Sequence, residues 1–239
     1  MRVASAETSP LVRARVAGFL YLIGFPAPFG LIYVPSRIIV AGDAAATASN
    51  ITASESLFRL GIVSNLFISI VYILLAVALY QLLKAVSKNM AMLMVIFVLV
   101  AAPIAMLNEL TQLAAFPLLS GADYLKTFTT AQLQSLVLLF LKLHDYGLDI
   151  AQIFWGLWLF PLGYLVFRSG FLPRILGVLL IIGCFGYAAQ SLAVFLFPGY
   201  RLNLIFFTAW GELFLALWLL IKGVNVEQWQ KRALASART

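Results

Sequence analysis

The sequence predicts an all-α fold: a polytopic membrane helix bundle with six transmembrane helices and both termini in the cytoplasm. Hydrophobic residues make up 63% of the 239 positions, the mean hydropathy is +1.01, and only 10% of the residues are charged. A soluble domain carries roughly 45–50% apolar and about 25% charged residues. Because a soluble fold of this size cannot bury so much apolar surface, we expect lipid to be the solvent for much of the chain.

Six apolar segments are long enough to cross a membrane, whose hydrocarbon core of about 30 Å requires about 20 helical residues. The first segment follows basic residues, as a signal peptide does. It is longer than the roughly 7–15 residues of a signal-peptide core, so we expect it to be retained. We expect one integral membrane domain over residues 1–239, with spans at about 16–40, 60–83, 90–119, 146–167, 175–197 and 204–221.

The basic residues predict the orientation. With six spans, one side of the membrane receives Arg2, Arg13, Arg15, Lys84, Lys88, Arg168, Arg174, Lys222, Lys231, Arg232 and Arg238. The other side receives Arg37, Arg59, Lys126 and Arg201. Because Lys and Arg concentrate on the cytoplasmic side, we expect cytoplasmic N- and C-termini. The same bias accounts for the net charge of +7, and we expect no nucleic-acid partner.

The connections outside the spans carry helix signals. In the first outer connection, Asp43 can cap a short helix over residues 44–49. In the second, Thr129 or Thr130 can cap a helix that runs into the fourth span. Residues 130–145 exceed what that span needs, so they form either an outer helix lying on the membrane or the start of one long tilted helix.

A polar stripe lies at the start of the fourth span. Its members recur at intervals of three and four residues, and they are Lys142, Asp145, Asp149, Gln152 and Gly156. Residues at these intervals share one face of a helix, and we expect so polar a face to contact other helices or a water-filled cavity rather than lipid. The single histidine, His144, is expected to point away from the stripe, on the face that it shares with Leu148.

Two glutamates in other spans can complete a site with this stripe. Counting residues from the predicted span ends places Glu109, Asp149 and Glu212 in the outer half of the membrane. The hypothesis is an outward-facing pocket in which Lys142 is the counter-charge and Gln152 a further binding group. Its carboxylates are Glu109, Asp145, Asp149 and Glu212. The alternative is that these groups only hold helices together or are solvated by headgroup water.

The first span contains Pro26 and Pro28, which break a helix in mid-membrane and free backbone carbonyls. Broken helices line binding sites in many transporters. Proline kinks without such a role are more common, so this feature adds little by itself.

Absent motifs exclude several chemistries. One histidine and one cysteine, Cys184, cannot form a His/Cys zinc cluster. The sequence has no Gly-x-Ser-x-Gly elbow and no glycine-rich or Walker phosphate loop. We therefore expect no metal and no cofactor, and we assign no catalytic residue.

Three stretches carry a family resemblance. They are "RVAGFLYLIGF" near the start, "GDAAATASNITASESLFRLGIVSNL" in the first outer connection, and "HDYGLDIAQIFWGLWLFPLGYLVFRSGFLPRILGVLLIIGCFGY" from His144 to Tyr187. Over nearly its whole length the chain resembles a bacterial family of multi-pass membrane proteins, the domain of unknown function 4386. The resemblance implies a six-span bacterial membrane protein, and with it a multi-pass location in the cell inner membrane, but it implies no activity.

Three functions stay open. The first is a protein that binds or transports a small cationic solute or a proton through the carboxylate-lined pocket. The second is a non-catalytic membrane partner or assembly factor, for which the sequence identifies no protein partner. The third is an intramembrane enzyme that acts on lipid, with His144 and Asp145 as the acid and base. In each case the lipid bilayer is the expected surrounding partner.

Overall fold

The computed structural model describes residues 9–24, 29–197, 204 and 210–236, and within them every regular element is a helix. The elements are α1 (Pro10–Gly24), a π-helix (Phe29–Tyr33), α2 (Val34–Ile38), α3 (Ala44–Ala53), α4 (Glu55–Leu83), α5 (Lys88–Leu113), α6 (Ala115–Leu119), a 3₁₀ turn (Asp123–Leu125), α7 (Thr130–Leu157), α8 (Leu159–Ser169), α9 (Arg174–Leu196), α10 (Trp210–Ile221) and α11 (Val226–Ser236). The all-α class is confirmed. Pro26 and Pro28 lie outside the described residues.

Among the described residues, five helical stretches are long and apolar enough to cross a membrane. They are Pro10–Ile38, Glu55–Leu83, Lys88–Leu119, Thr130–Ser169 and Arg174–Leu196. Helix α10, a shorter apolar helix, lies within the sixth predicted span, and residues 205–209 of that span lie outside the described part. This is the pattern of a helical membrane bundle, as predicted. The orientation of the termini and the inner-membrane location stay predictions.

Two prolines explain where long helices are interrupted. Helix α5 ends at Leu113, four residues before Pro117, and α7 ends at Leu157, four residues before Pro161. A proline has no N–H to donate to the carbonyl four residues earlier, and its ring crowds that carbonyl. The chain therefore continues as α6 and α8 after one residue, Ala114 or Trp158, that keeps helical dihedral angles while the hydrogen-bond ladder is interrupted.

Helix α7 resolves the alternatives left open for residues 130–145. It runs without interruption from Thr130, and a reciprocal cap starts it. The Gln132 backbone N–H donates to Thr129 Oγ1 at 3.3 Å, and the Thr129 N–H donates to Gln132 Oε1 at 2.8 Å. A separate outer helix is therefore wrong, and these residues begin one long helix. With α8, the stretch contains 40 residues, or about 60 Å at 1.5 Å per residue.

The chain divides into two compact units, each described by itself. Unit 1 consists of Met1–Ile23, Val71–Ala101 and Gln152–Thr239. In this unit α8 and α9 touch through two glycines, because a Cβ added to Gly177 would lie 2.6 Å from the Gly163 carbonyl oxygen. Small residues allow such close backbone contact between membrane helices. The C-terminal helix α11 is attached by Trp229, whose Nε1 donates to the Leu82 carbonyl at 2.9 Å.

Unit 2 consists of Gly24–Ile70 and Ala102–Ala151. Its buried core is Val34, Ile38, Ile51, Phe58, Ile62, Ala115, Val137 and Leu141. The predicted helix in the first outer connection is confirmed as α3, and Asp43 caps it by accepting from the Ala46 N–H at 2.9 Å. This core packs beside a polar cluster formed by α4, α5 and α7.

Candidate functional site

In unit 2, α7 presents His144 to a row of polar side chains on α5. His144 is 5% exposed. Asn108 Nδ2 donates to the His144 carbonyl at 2.8 Å and lies 3.1 Å from His144 Nδ1, while Gln112 Nε2 lies 2.8 Å from His144 Nε2. Both ring nitrogens therefore have protein partners. Asn108 and Gln112 reach one imidazole because residues four apart share a helix face.

A glycine on α7 makes this contact sterically feasible. Gly147 lies three residues after His144, on the same side of the helix. A Cβ added to Gly147 would overlap the Asn108 side-chain carboxamide. The absence of a side chain at Gly147 therefore lets Asn108 approach the α7 backbone.

Glu109 lies at the centre of the same cluster and is 2% exposed. Its Oε1 accepts from Asn65 Nδ2 of α4 at 3.1 Å, and it lies 4.0 Å from His144 Nε2. Glu109 Oε2 and Asn65 Oδ1 are both buried and have no hydrogen-bond partner within the described residues. A buried acceptor without a donor is energetically costly, so this pair of oxygens calls for an explanation.

Unit 1 contains a second buried carboxyl group. Glu212, at the start of α10, is 8% exposed. Its Oε2 accepts from the Tyr21 hydroxyl at 2.9 Å, and its Oε1 accepts from the Tyr187 hydroxyl at 3.5 Å. The Tyr21 ring is held by Tyr72 and Trp158, with ring centroids at 6.4 and 5.9 Å. Unlike Glu109, Glu212 has a hydroxyl donor on each oxygen.

The members of the polar stripe differ in their surroundings. Lys142 and Asp145 are exposed, and Asp149 is half-buried. Gln152 Nε2 donates to Ser191 Oγ of α9 at 3.2 Å. The stripe therefore changes along its length from an exposed face to one that contacts another helix.

Gly156, at the inner end of the stripe, lies against Tyr187, since an added Cβ would be 2.6 Å from the Tyr187 Cβ. Glu109, Lys142, Asp145 and Asp149 belong to unit 2, whereas Gln152 and Glu212 belong to unit 1. A single pocket that combines them stays a prediction.

Sequence reasoning missed three hydrogen-bond partners of the buried glutamates: Asn65, which contacts Glu109, and Tyr21 and Tyr187, which contact Glu212. Each is a polar or amphipathic side chain inside an apolar span, which was the available signal, but each lies on a different helix from its glutamate. Sequence reasoning placed His144 off the stripe and named it as a possible acid or base, and the structure shows it buried against α5. Among the described residues, no group of three His, Cys, Asp or Glu side chains is arranged to hold a metal ion.

Comparisons with known proteins place this architecture in a family. The model of the family described as domain of unknown function (DUF4386) matches residues 16–223. The chain belongs to this family. It is also 37% identical over 172 residues to an uncharacterized protein of Archaeoglobus fulgidus, and the match covers 70% of this chain and 86% of that protein. The relative is archaeal, so similar chains are not confined to bacteria. No solved structure matches the chain.

Proposed function

We propose that this protein binds a proton or a small cationic solute at buried carboxyl groups within the membrane, and that it transports this ligand across the cell inner membrane. The observation that carries the proposal is the burial of Glu109 and Glu212, 2% and 8% exposed, inside apolar helices. Ionisable groups at such positions are costly, and they mark ion and proton pathways in many membrane proteins.

The partners of the two glutamates support the proposal. Glu109 is held by an amide and lies near an imidazole, and Glu212 is held by two tyrosine hydroxyls. Neither carboxyl has a Lys or Arg partner within the described residues. A buried carboxylate without a fixed cation needs a mobile one, so each group, once ionised, can bind a cation or take a proton back.

The basic side chains with ion-pair partners lie elsewhere. Within the described part of the chain, three Lys or Arg ion pairs lie on exposed helix or turn surfaces. They join Arg59 to Glu55, Lys126 to Asp123 and Lys231 to Glu227. Exposed pairs of this kind contribute about 0–1 kcal/mol. Two of these pairs contain an exposed glutamate, Glu55 or Glu227, which can serve as a control for the buried glutamates.

The test is ion flux through the purified protein in liposomes. A pH-sensitive dye inside the vesicles reports proton movement, and a potential-sensitive dye reports the entry of Na⁺, K⁺ or a small organic ammonium ion from the outer solution. We expect a flux that Glu109→Gln or Glu212→Gln abolishes and that Glu227→Gln leaves unchanged. If the wild type moves no proton and no cation in this panel, no salt stabilises it, and both buried variants are less stable than the wild type, the carboxyls have a purely structural role.

A further inference from the structure

We propose that the ligand of the Glu109 site is a proton, held between Glu109 and Asn65 in a two-point acid–amide pair. This inference rests on the proposed function and names its ligand for this site. It is motivated by two buried oxygens, Glu109 Oε2 and Asn65 Oδ1, that have no hydrogen-bond partner within the described residues. The side chains that carry them are 2% and 8% exposed.

The hydrogen bond that does exist orients the pair. Asn65 Nδ2 donates to Glu109 Oε1 at 3.1 Å, so one amide N–H and one carboxyl oxygen are already matched. The groups left over are the second carboxyl oxygen of Glu109, Oε2, and the amide oxygen of Asn65, Oδ1. Two acceptors cannot satisfy each other, but an acid O–H on Glu109 Oε2 can donate to Asn65 Oδ1. One proton therefore removes both deficits, and the pair becomes doubly hydrogen-bonded.

The surroundings of Asn65 keep this arrangement in place. A Cβ added to Gly30, in the π-helix of unit 2, would overlap Asn65 Oδ1, and Gly30 is itself buried. A π-helical segment is rare and often lies at a functional site. Because Gly30 has no side chain, the Asn65 carboxamide can occupy the position from which it contacts Glu109.

A metal ion is a less suitable ligand. One carboxylate supplies one negative charge, and the described residues contain no group of three His, Cys, Asp or Glu side chains that could hold a metal ion. Divalent cations need several charged or oxygen ligands. A sodium ion requires only one compensating charge, so the experiment must distinguish it from a proton.

His144 is the titratable group that faces Glu109, with its Nε2 4.0 Å from Glu109 Oε1. The group that donates to the carboxyl is the neutral amide of Asn65, from α4, and the neutral amide of Gln112, from α5, contacts His144 Nε2. The 4.0 Å separation is too long for a hydrogen bond, and the acid proton on Oε2 points to Asn65, so the acid–amide pair and not His144 holds the proton.

The experiment is infrared spectroscopy of the reconstituted protein, titrated with pH in H₂O and D₂O with choline as the sole salt cation. A protonated carboxyl has a C=O stretch distinct from that of a carboxylate. We expect one such band to be lost in Glu109→Gln and to shift in Asn65→Leu, which removes the amide partner and leaves the acid in place. Glu212→Gln is the matched control, and it should leave this band unchanged. The Asn65→Leu shift keeps the test usable if Glu109→Gln does not fold.

The outcomes separate this inference from the proposed function. If no protonated-carboxyl band depends on Glu109 or Asn65, and Na⁺ stabilises the wild type but not Glu109→Gln, the ligand is a metal cation. That result overturns the proton assignment and leaves cation binding standing. If no such band is found, no salt stabilises the wild type and no flux occurs in liposomes, the proposed function fails as well.

Discussion

Replacing Gly147 with alanine tests how the unit 2 cluster is built. The added Cβ would overlap the Asn108 carboxamide, which would have to rotate away. Asn108 Nδ2 would then lose its 2.8 Å hydrogen bond to the His144 carbonyl and its 3.1 Å contact with Nδ1. The substitution removes no polar group, so it tests whether close packing between α5 and α7 is needed for the cluster.

The expected cost follows from these two contacts. Hydrogen bonds between membrane helices contribute about 0.6–2 kcal/mol each, so losing two costs about 1–4 kcal/mol. Alanine recovers about 0.5–1 kcal/mol relative to glycine in a helix interior. We expect Gly147→Ala to lower the free energy of unfolding by about 2 kcal/mol, measured by reversible SDS titration of the detergent-purified protein.

Two further variants control for helix propensity and for unrelated strain. Gly61→Ala is the matched glycine, because its Cβ would meet the Val34 side chain at 3.1–3.3 Å, a contact that a small shift relieves. In an Asn108→Ala background, Gly147→Ala should become neutral or stabilising, since the carboxamide is gone. If Gly147→Ala costs as much in that background as in the wild type, the steric explanation is wrong.

Two other predictions concern unit 1. In Gly177→Ala the new Cβ lies 2.6 Å from the Gly163 carbonyl oxygen, so α8 and α9 must separate. We expect a loss of about 1–3 kcal/mol in the same titration, and an unchanged stability would mean that the two helices are not in backbone contact. Trp229→Phe keeps an aromatic ring but removes the 2.9 Å hydrogen bond to the Leu82 carbonyl, which costs about 1 kcal/mol. Amide hydrogen exchange should accelerate in α11 but not in α9, and equal exchange in wild type and variant would contradict this role for the indole.

Local signals predicted the helices well where their physical cause is local. The cap at Asp43 and the cap at Thr129 both form, because each depends on residues within one turn. The helix that contains the fourth predicted span begins at Thr130, as one of the two alternatives for residues 130–145 required, and the bounds of the span itself stay a prediction. The span length was estimated from bilayer thickness, whereas a helix continues as long as its backbone hydrogen bonds and side-chain packing support it.

The polar stripe shows how far periodicity can be taken. Spacing alone established that Lys142, Asp145 and Asp149 share a helix face. It did not say what that face contacts, and the structure leaves Lys142 and Asp145 exposed. His144, off the stripe by the same reasoning, is the α7 residue that the cluster on α5 surrounds. Which face of a helix meets a neighbour depends on the packing of the other helices.

Composition and charge by themselves determined that this chain is a bundle of apolar helices, because the transfer of a segment into lipid depends on that segment's own residues. They also identified Glu109 and Glu212 as costly groups in apolar surroundings. Only the tertiary structure decided their partners. Asn65 lies 44 residues from Glu109 in the chain, and Tyr21 lies 191 residues from Glu212. Pairings at such separations are set by how whole helices pack against one another, which no local pattern in the sequence encodes.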